Sequence, residues 1–148
     1  LGAEDRGVLV QRDTYFEVPR GRLKLREELD GTPHLISYTR PDEPAGRESH
    51  YRIVKVPQAE ELIAALSATL GIRVVVSKRR RLFIWQSVRI HLDEVEGLGS
   101  FVEFEAVATP GSDLSVEIKR VEYLRDRFEL EDADLIGTGY ADLLLASR

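Results

Sequence analysis

The chain has 148 residues, 43% of them hydrophobic and 32% charged, with a formal net charge of −5. This is apolar material enough for the core of one domain over residues 1–148, and it excludes both a strongly basic nucleic-acid binder and a disordered acidic tail. The absence of cysteine excludes disulfides and thiolate metal sites, and no apolar run reaches bilayer length, so a cytoplasmic protein without a membrane partner is the expectation.

Leu1 to Asp5 reads as the exit of a helix, passing through Gly2 into a loop. Val8 to Phe16 is rich in β-branched and aromatic residues and predicts a strand, broken by Pro19-Arg20-Gly21. Arg22 to Glu28 alternates and predicts a second strand, Asp30-Gly31 a hairpin turn, and Leu35 to Arg40 the returning strand. After a loop at Pro41 to Gly46, Arg47 to Val56 predicts another extended segment. Pro57 to Leu70 predicts a helix, with Pro57 in its first turn, Glu60 and Glu61 at its positive end and Gly71 as its stop. Its buried stripe is expected to be Ala59, Leu62, Ile63, Leu66 and Leu70.

Strands are then expected at Ile72 to Arg79, Arg81 to Gln86, Val88 to Asp93 and Ser100 to Ala108. Ser112 or Asp113 is placed to cap a second helix carrying Leu114, Ile118, Val121, Leu124 and Phe128, and Gly139 to Ala146 predicts a last short one.

Chemistry enters through charges at alternate positions, because side chains at i and i+2 share one face of a strand. Lys24 and Arg26 project together, as do Lys78 and Arg80, Tyr38 and Arg40, and Arg47, Ser49 and Tyr51. Arg89, His91 and Asp93 share a face, and so do Glu103 and Glu105. For any one strand, a solvated outer face is the ordinary explanation. The signs, however, are sorted by strand, whereas a surface selected for solubility mixes them. A basic wall suits a polyphosphate, and carboxylates beside it are tolerable when a hard cation such as Mg2+ or Mn2+ bridges them to the phosphate oxygens.

In order along the chain stand Gln11-x-Asp13-Thr14-Tyr15-Phe16, Lys24-x-Arg26, Lys78-x-Arg80, and a run from Arg89-Ile90-His91-Leu92-Asp93 through Gly97-Leu98-Gly99 to Glu103-x-Glu105. This series resembles the CYTH superfamily of triphosphate tunnel metalloenzymes, which includes class IV adenylate cyclases and thiamine triphosphatases. The terminal Gly139-Tyr140-Ala141-Asp142-Leu143-Leu144 resembles the family's Tyr-x-x-Leu-Leu ending.

The resemblance implies an α+β fold: an antiparallel β-barrel or tunnel of roughly eight strands, with helices packed outside. It implies phosphate binding by Lys24, Arg26, Arg40, Lys78, Arg80 and Arg89, metal binding by Glu103, Glu105 and Asp93, and catalytic roles for Asp93 and Arg89. Asp93 would either ligate Mg2+ or Mn2+ or orient a basic partner. The implied activity is metal-dependent hydrolysis of a nucleoside, thiamine or inorganic triphosphate; formation of cyclic AMP with pyrophosphate, or phosphate-ligand binding without turnover, are the alternatives. The partner is a triphosphate-containing small molecule rather than nucleic acid, and a homodimer is left open. The family's Glu-x-Glu-x-Lys strand does not precede Gln11: either this strand and a helix stand upstream, which the start at Leu1 favours, or the site is incomplete.

Competing sites fare worse. His34, His50 and His91 have no zinc spacing, and Gly97-Leu98-Gly99 lacks the Lys-Ser/Thr of a phosphate loop and predicts a turn. Phe83 and Trp85 share a face with Arg81 and are expected on the outer side, under helices.

Overall fold

The computed structural model describes residues 1–39, 50–136 and 139–148. Seven strands form one antiparallel sheet: β1 (Glu4–Phe16), β2 (Arg22–Glu28), β3 (His34–Thr39), β4 (His50–Lys55), β5 (Ile72–Trp85), β6 (Val88–Val95) and β7 (Gly99–Ala106). Three helices accompany them, α1 (Ala59–Thr69), α2 (Ser115–Arg127) and α3 (Tyr140–Ala146). The order across the sheet is β4-β3-β2-β1-β5-β6-β7, so β4 and β7 are edges among the described residues and the sheet is not closed into a barrel. The α+β class and antiparallel pairing stand as expected; the closed tunnel of roughly eight strands does not appear.

The non-sequential join of β1 to β5 is the central feature. It pairs Gln11 with Lys78 and Asp13 with Val76, while the other side of β1 pairs Asp13 with Arg26 and Tyr15 with Lys24. The predicted break near Arg80 is absent, because β5 runs unbroken and pairs with both β1 and β6. The amino terminus also departs from expectation. Glu4 and Asp5 extend β1 rather than leaving a helix, with Asp5 paired to Phe83 and its carboxylate bonded to Arg81.

Two apolar cores lie on one sheet face. Under α1, Leu62, Ile63 and Leu66 pack on Phe16, Leu25 and Val56. Leu70, placed in that stripe by its spacing, is 37% exposed at the helix cap, because the helix ends at Thr69. Under α2, fully buried Leu124 meets Val88 and Ile90; Trp85 stacks on Tyr123 at 5.2 Å, and Phe104 meets Phe128 edge-on at the same distance. The outward placement of Phe83 and Trp85 is borne out. Leu92 on this face remains exposed, and so does Ile118 of α2, which its spacing had placed in that helix's apolar set.

The third core lies on the opposite face, where α3 packs Ala141, Leu144 and Leu145 against Tyr15, Val74, Val76 and Val95. The β6–β7 turn comes close to this helix: a side chain at Gly97, whose φ is +83°, would lie 3.3 Å from a Leu144 methyl. The β1–β2 connection is tighter, since a Cβ on Gly21 would stand 2.7 Å from the Tyr38 carbonyl oxygen. Among the described residues no helix is long and apolar enough to cross a membrane.

Candidate anion site on the charged sheet face

Directly paired residues in an antiparallel ladder project to the same side. The pairings Asp13–Arg26, Tyr15–Lys24 and Gln11–Lys78, continued by Arg80–Asp93, His91–Glu103 and Arg89–Glu105, therefore place all these side chains on the face that carries α3. The period-two reading of each strand thus holds across five strands.

Asp13 is the centre of the cluster and is fully buried. Arg26, directly opposite, donates from Nε to Oδ1 at 2.8 Å and from a terminal nitrogen to Oδ2 at 2.7 Å. Lys24 and Lys78 are its diagonal neighbours on either side, and their ammonium groups reach Oδ2 at 3.0 and 3.2 Å. Long side chains span such diagonals easily. Burial pushes the Asp13 carboxyl up, but the charges of Lys24 and Lys78 and the Arg26 hydrogen bonds outweigh it and hold the group well below the usual range. Lys78 is the opposite case. Burial, reinforced by Arg26, Lys24 and Arg80, overcomes Asp13 and pushes its ammonium down to about 7.

A second bracket lies on β5 and β6. Arg80 grips Asp93 at two points, 2.8 and 2.7 Å, and the Tyr140 hydroxyl of α3 donates to the same carboxylate at 2.8 Å. Burial raises Asp93, but the Arg80 and Tyr140 contacts prevail and lower it; burial and the Asp93 charge together push the Tyr140 hydroxyl up. Phe101 packs on the Tyr140 ring at 5.0 Å, and the Lys78 ammonium lies over the same ring, 5.6 Å from its centre. Beyond, His91 Nδ1 donates to Glu103 at 2.8 Å, and Glu103 lies 3.7 Å from Arg80.

The structure brings together Lys24, Arg26, Lys78 and Arg80, with Asp93 and Glu103 alongside. Arg89 and Glu105 pair at 3.5 Å but stand apart, since Arg89 is four residues along β6 from Asp93, about 13 Å at strand rise, and its side chain is half exposed. Arg40 lies outside the described residues, as do Arg47 and Ser49.

As a metal site, the set is partial. Both oxygens of Asp93 are engaged by Arg80 and Tyr140, and no group of three or more His, Asp or Glu side chains converges among the described residues. Glu103 and Glu105 sit on one face of β7 with about a third of each side chain in solvent. Two such carboxylates suit Mg2+ or Mn2+, which draw much of their coordination from water and phosphate oxygens.

Sequence reasoning assigned no role to Asp13, Tyr140 or His91. Asp13 carried a usable signal, because Gln11, Asp13 and Tyr15 alternate on a strand whose other face ends in Thr14 and Phe16. The contact of Tyr140 with Asp93 spans 47 positions and left no trace in local pattern.

The sequence model of the CYTH domain matches residues 1–135. This chain belongs to the CYTH domain family. Solved structures agree on the fold. The PH1012 protein of Pyrococcus horikoshii OT3 is 25% identical with a TM-score of 0.77, covering 96% of this chain and 86% of that one. A conserved hypothetical protein of Pyrococcus furiosus has a TM-score of 0.83 at 23% identity, with the same coverage of both chains. A proposed adenylate cyclase of Vibrio parahaemolyticus has a TM-score of 0.77 at 21% identity, covering 97% of this CYTH domain and 85% of its own chain. Comparison with curated proteins finds no match.

Proposed function

We propose that this CYTH domain binds a triphosphate across the charged face and cleaves it by metal-dependent hydrolysis. The observation that carries the reading is the convergence of four cationic side chains, Lys24, Arg26, Lys78 and Arg80, on a single face, three of them on one buried carboxylate. Holding such like charges together is costly unless an anion neutralises them, and Asp13 and Asp93 offset only part of that cost. The two carboxylates also fix the directions in which the cations point, so a triphosphate meets donors already oriented, which favours tight and specific binding.

In this arrangement Arg26 and Arg80 present guanidinium forks to non-bridging oxygens, while Lys24 and Lys78 act as point charges. Asp93 positions Arg80 and is itself fixed by Tyr140. Glu103 and Glu105 would hold Mg2+ or Mn2+, which supplies positive charge to the phosphate oxygens when bound. Arg89, half exposed beside Glu105 at the far end of β6, lies outside this grip. Water then attacks the terminal phosphorus in line as its bond to the bridging oxygen breaks, giving orthophosphate and the departing diphosphate part. The water's proton is released to solvent, and the basic wall offsets the charge on the transferring group.

Incubation with ATP, inorganic triphosphate and thiamine triphosphate in the presence of Mg2+, followed by product analysis, tests this reading. Orthophosphate release is expected. Cyclic AMP with pyrophosphate would assign the cyclase chemistry proposed for the Vibrio parahaemolyticus protein, and binding without product would leave a phosphate-ligand binder. Failure of all three compounds to shift the melting temperature would overturn the anion site itself.

A further inference from the structure

A further polar cluster ties α3 to the sheet. Asp142 accepts a hydrogen bond from Arg22 of β2 at Oδ2, 3.1 Å, and one from Arg73 of β5 at Oδ1, 2.7 Å. Alternation puts Arg22 on the side of Lys24 and Arg26. Arg73 follows a different rule, because as the neighbour of Val74 it belongs by alternation to the opposite side. A bulge re-aims it: Tyr15 pairs with Val74 and Phe16 with Ile72, which leaves Arg73 as the extra residue of β5. Two arginines from the strands on either side of β1 thus meet on one carboxylate.

What this clasp holds is a helix of seven residues without a side-chain cap, too short to be stable by itself. Its apolar contacts, through Ala141, Leu144 and Leu145, press it onto the sheet but do not set its rotation, since such contacts are non-directional. Successive residues turn by about 100° around a helix, so Tyr140 and Asp142 stand about 200° apart and flank that apolar stripe on opposite sides. Asp142 reaches β2 and β5. Tyr140 reaches β6, where its hydroxyl donates to Asp93 Oδ2, the oxygen that also accepts from Arg80. Fixing one end of this tie fixes the other. Without it Asp93 is free to turn, and Arg80 has a second carboxylate nearby, that of Glu103 at 3.7 Å.

We propose that Asp142 is a positioning residue for the anion site: held by Arg22 and Arg73, it fixes α3 so that Tyr140 steadies Asp93 and keeps the Arg80 fork aimed across the charged face. The tie stands on contacts within the chain, and only the fork's meeting with a triphosphate rests on the reading given above.

The test follows two guanidinium groups separately in the protein without ligand. Hydrogen exchange of the Arg26 and Arg80 Nε protons, each bonded to a buried carboxylate, is read by NMR. Asp142→Asn is expected to speed exchange at Arg80 about tenfold or more, the scale of a lost hydrogen bond to a charged group, and to leave Arg26 within about twofold. Tyr140→Phe is expected to do the same, and the double variant to exchange no faster than either single one, because both act through one contact. Arg73→Gln removes one arm of the clasp and is expected to act in the same direction more weakly, which covers the case that Asp142→Asn does not fold. Equal acceleration at Arg26 and Arg80, no acceleration at Arg80, or additive effects of the Asp142 and Tyr140 variants overturn the proposal. Calorimetric titration of inorganic triphosphate in EDTA then adds the ligand: Asp142→Asn is expected to bind it about fivefold or more weakly. Equal affinity of variant and wild type overturns the positioning role, whereas failure of wild type to bind inorganic triphosphate overturns the triphosphate reading and leaves the exchange result to decide the tie.

Discussion

Lys78 Nζ stands 3.2 Å from Asp13 Oδ2, the longest of the contacts that Asp13 makes with Lys24, Arg26 and Lys78. One carboxylate cannot compensate three buried cations equally. At Lys78, burial together with the charges of Arg26, Lys24 and Arg80 outweighs the attraction of Asp13, so its ammonium gives up its proton readily.

This arrangement predicts a pH dependence with a definite sign. The Lys78 ammonium is pushed down from 10.5 to about 7, so between those values the unfolded chain binds a proton that the empty native protein does not. Stability therefore gains from Lys78 as pH rises through that window. A bound triphosphate has the reverse effect, because it favours the charged form: its affinity falls above about pH 7 and binding takes up a proton. Titrations at pH 8 in two buffers of different ionisation enthalpy measure that uptake. Lys78→Met is expected to abolish it, and unchanged uptake in the variant would remove Lys78 from the site.

Asp13→Asn keeps the shape of the side chain and removes the charge that Lys24, Arg26 and Lys78 share. Leaving buried cations uncompensated is expected to cost about 3–5 kcal/mol in urea unfolding. Added triphosphate is expected to stabilise this variant more than wild type, since it restores the missing negative charge. A loss that triphosphate does not reverse would mean that the cations do not face an anion-accessible surface.

Arg80 and Arg89 both follow from the strand alternation, and the structure separates them. Arg80 is buried in a two-point bond with Asp93, and Arg89 is half exposed beside Glu105. Arg80→Gln is expected to weaken triphosphate binding by about 2 kcal/mol or more, the scale of a lost charged hydrogen-bond pair. Arg89→Gln is expected to change stability by about 0.5 kcal/mol or less. Thermal shifts of both variants with and without triphosphate make the comparison, and equal losses of ligand-induced shift would place the anion across the whole face.

Glu103→Gln preserves an acceptor for His91 while removing a hard anionic donor. It is expected to raise the Mg2+ concentration needed for half-maximal turnover, with triphosphate binding in EDTA unchanged. Turnover with the wild-type Mg2+ requirement would exclude Glu103 from holding the metal.

Most strands, the helices and the sides of the strands were legible in the sequence; the start of β1 at Glu4 and the continuity of β5 through Arg80 were not. Alternation fixes which residues share a face whatever the partner strand is, so the common orientation of Lys24, Arg26, Lys78, Arg80, Glu103 and Glu105 was legible, and the Arg89 to Glu105 run made the family legible too. Local pattern contains nothing about which strands are neighbours. Only the tertiary structure joined β1 to β5, and that pairing puts Asp13 between β2 and β5, where it draws in Lys24, Arg26 and Lys78. It also laid α3 on the charged face, bringing Tyr140 to Asp93, and among the described residues β4 and β7 stand at opposite edges of the sheet. Hydrogen bonds and ion pairs act over a few ångströms, so contacts 47 and 65 positions apart in sequence exist only once the chain has folded.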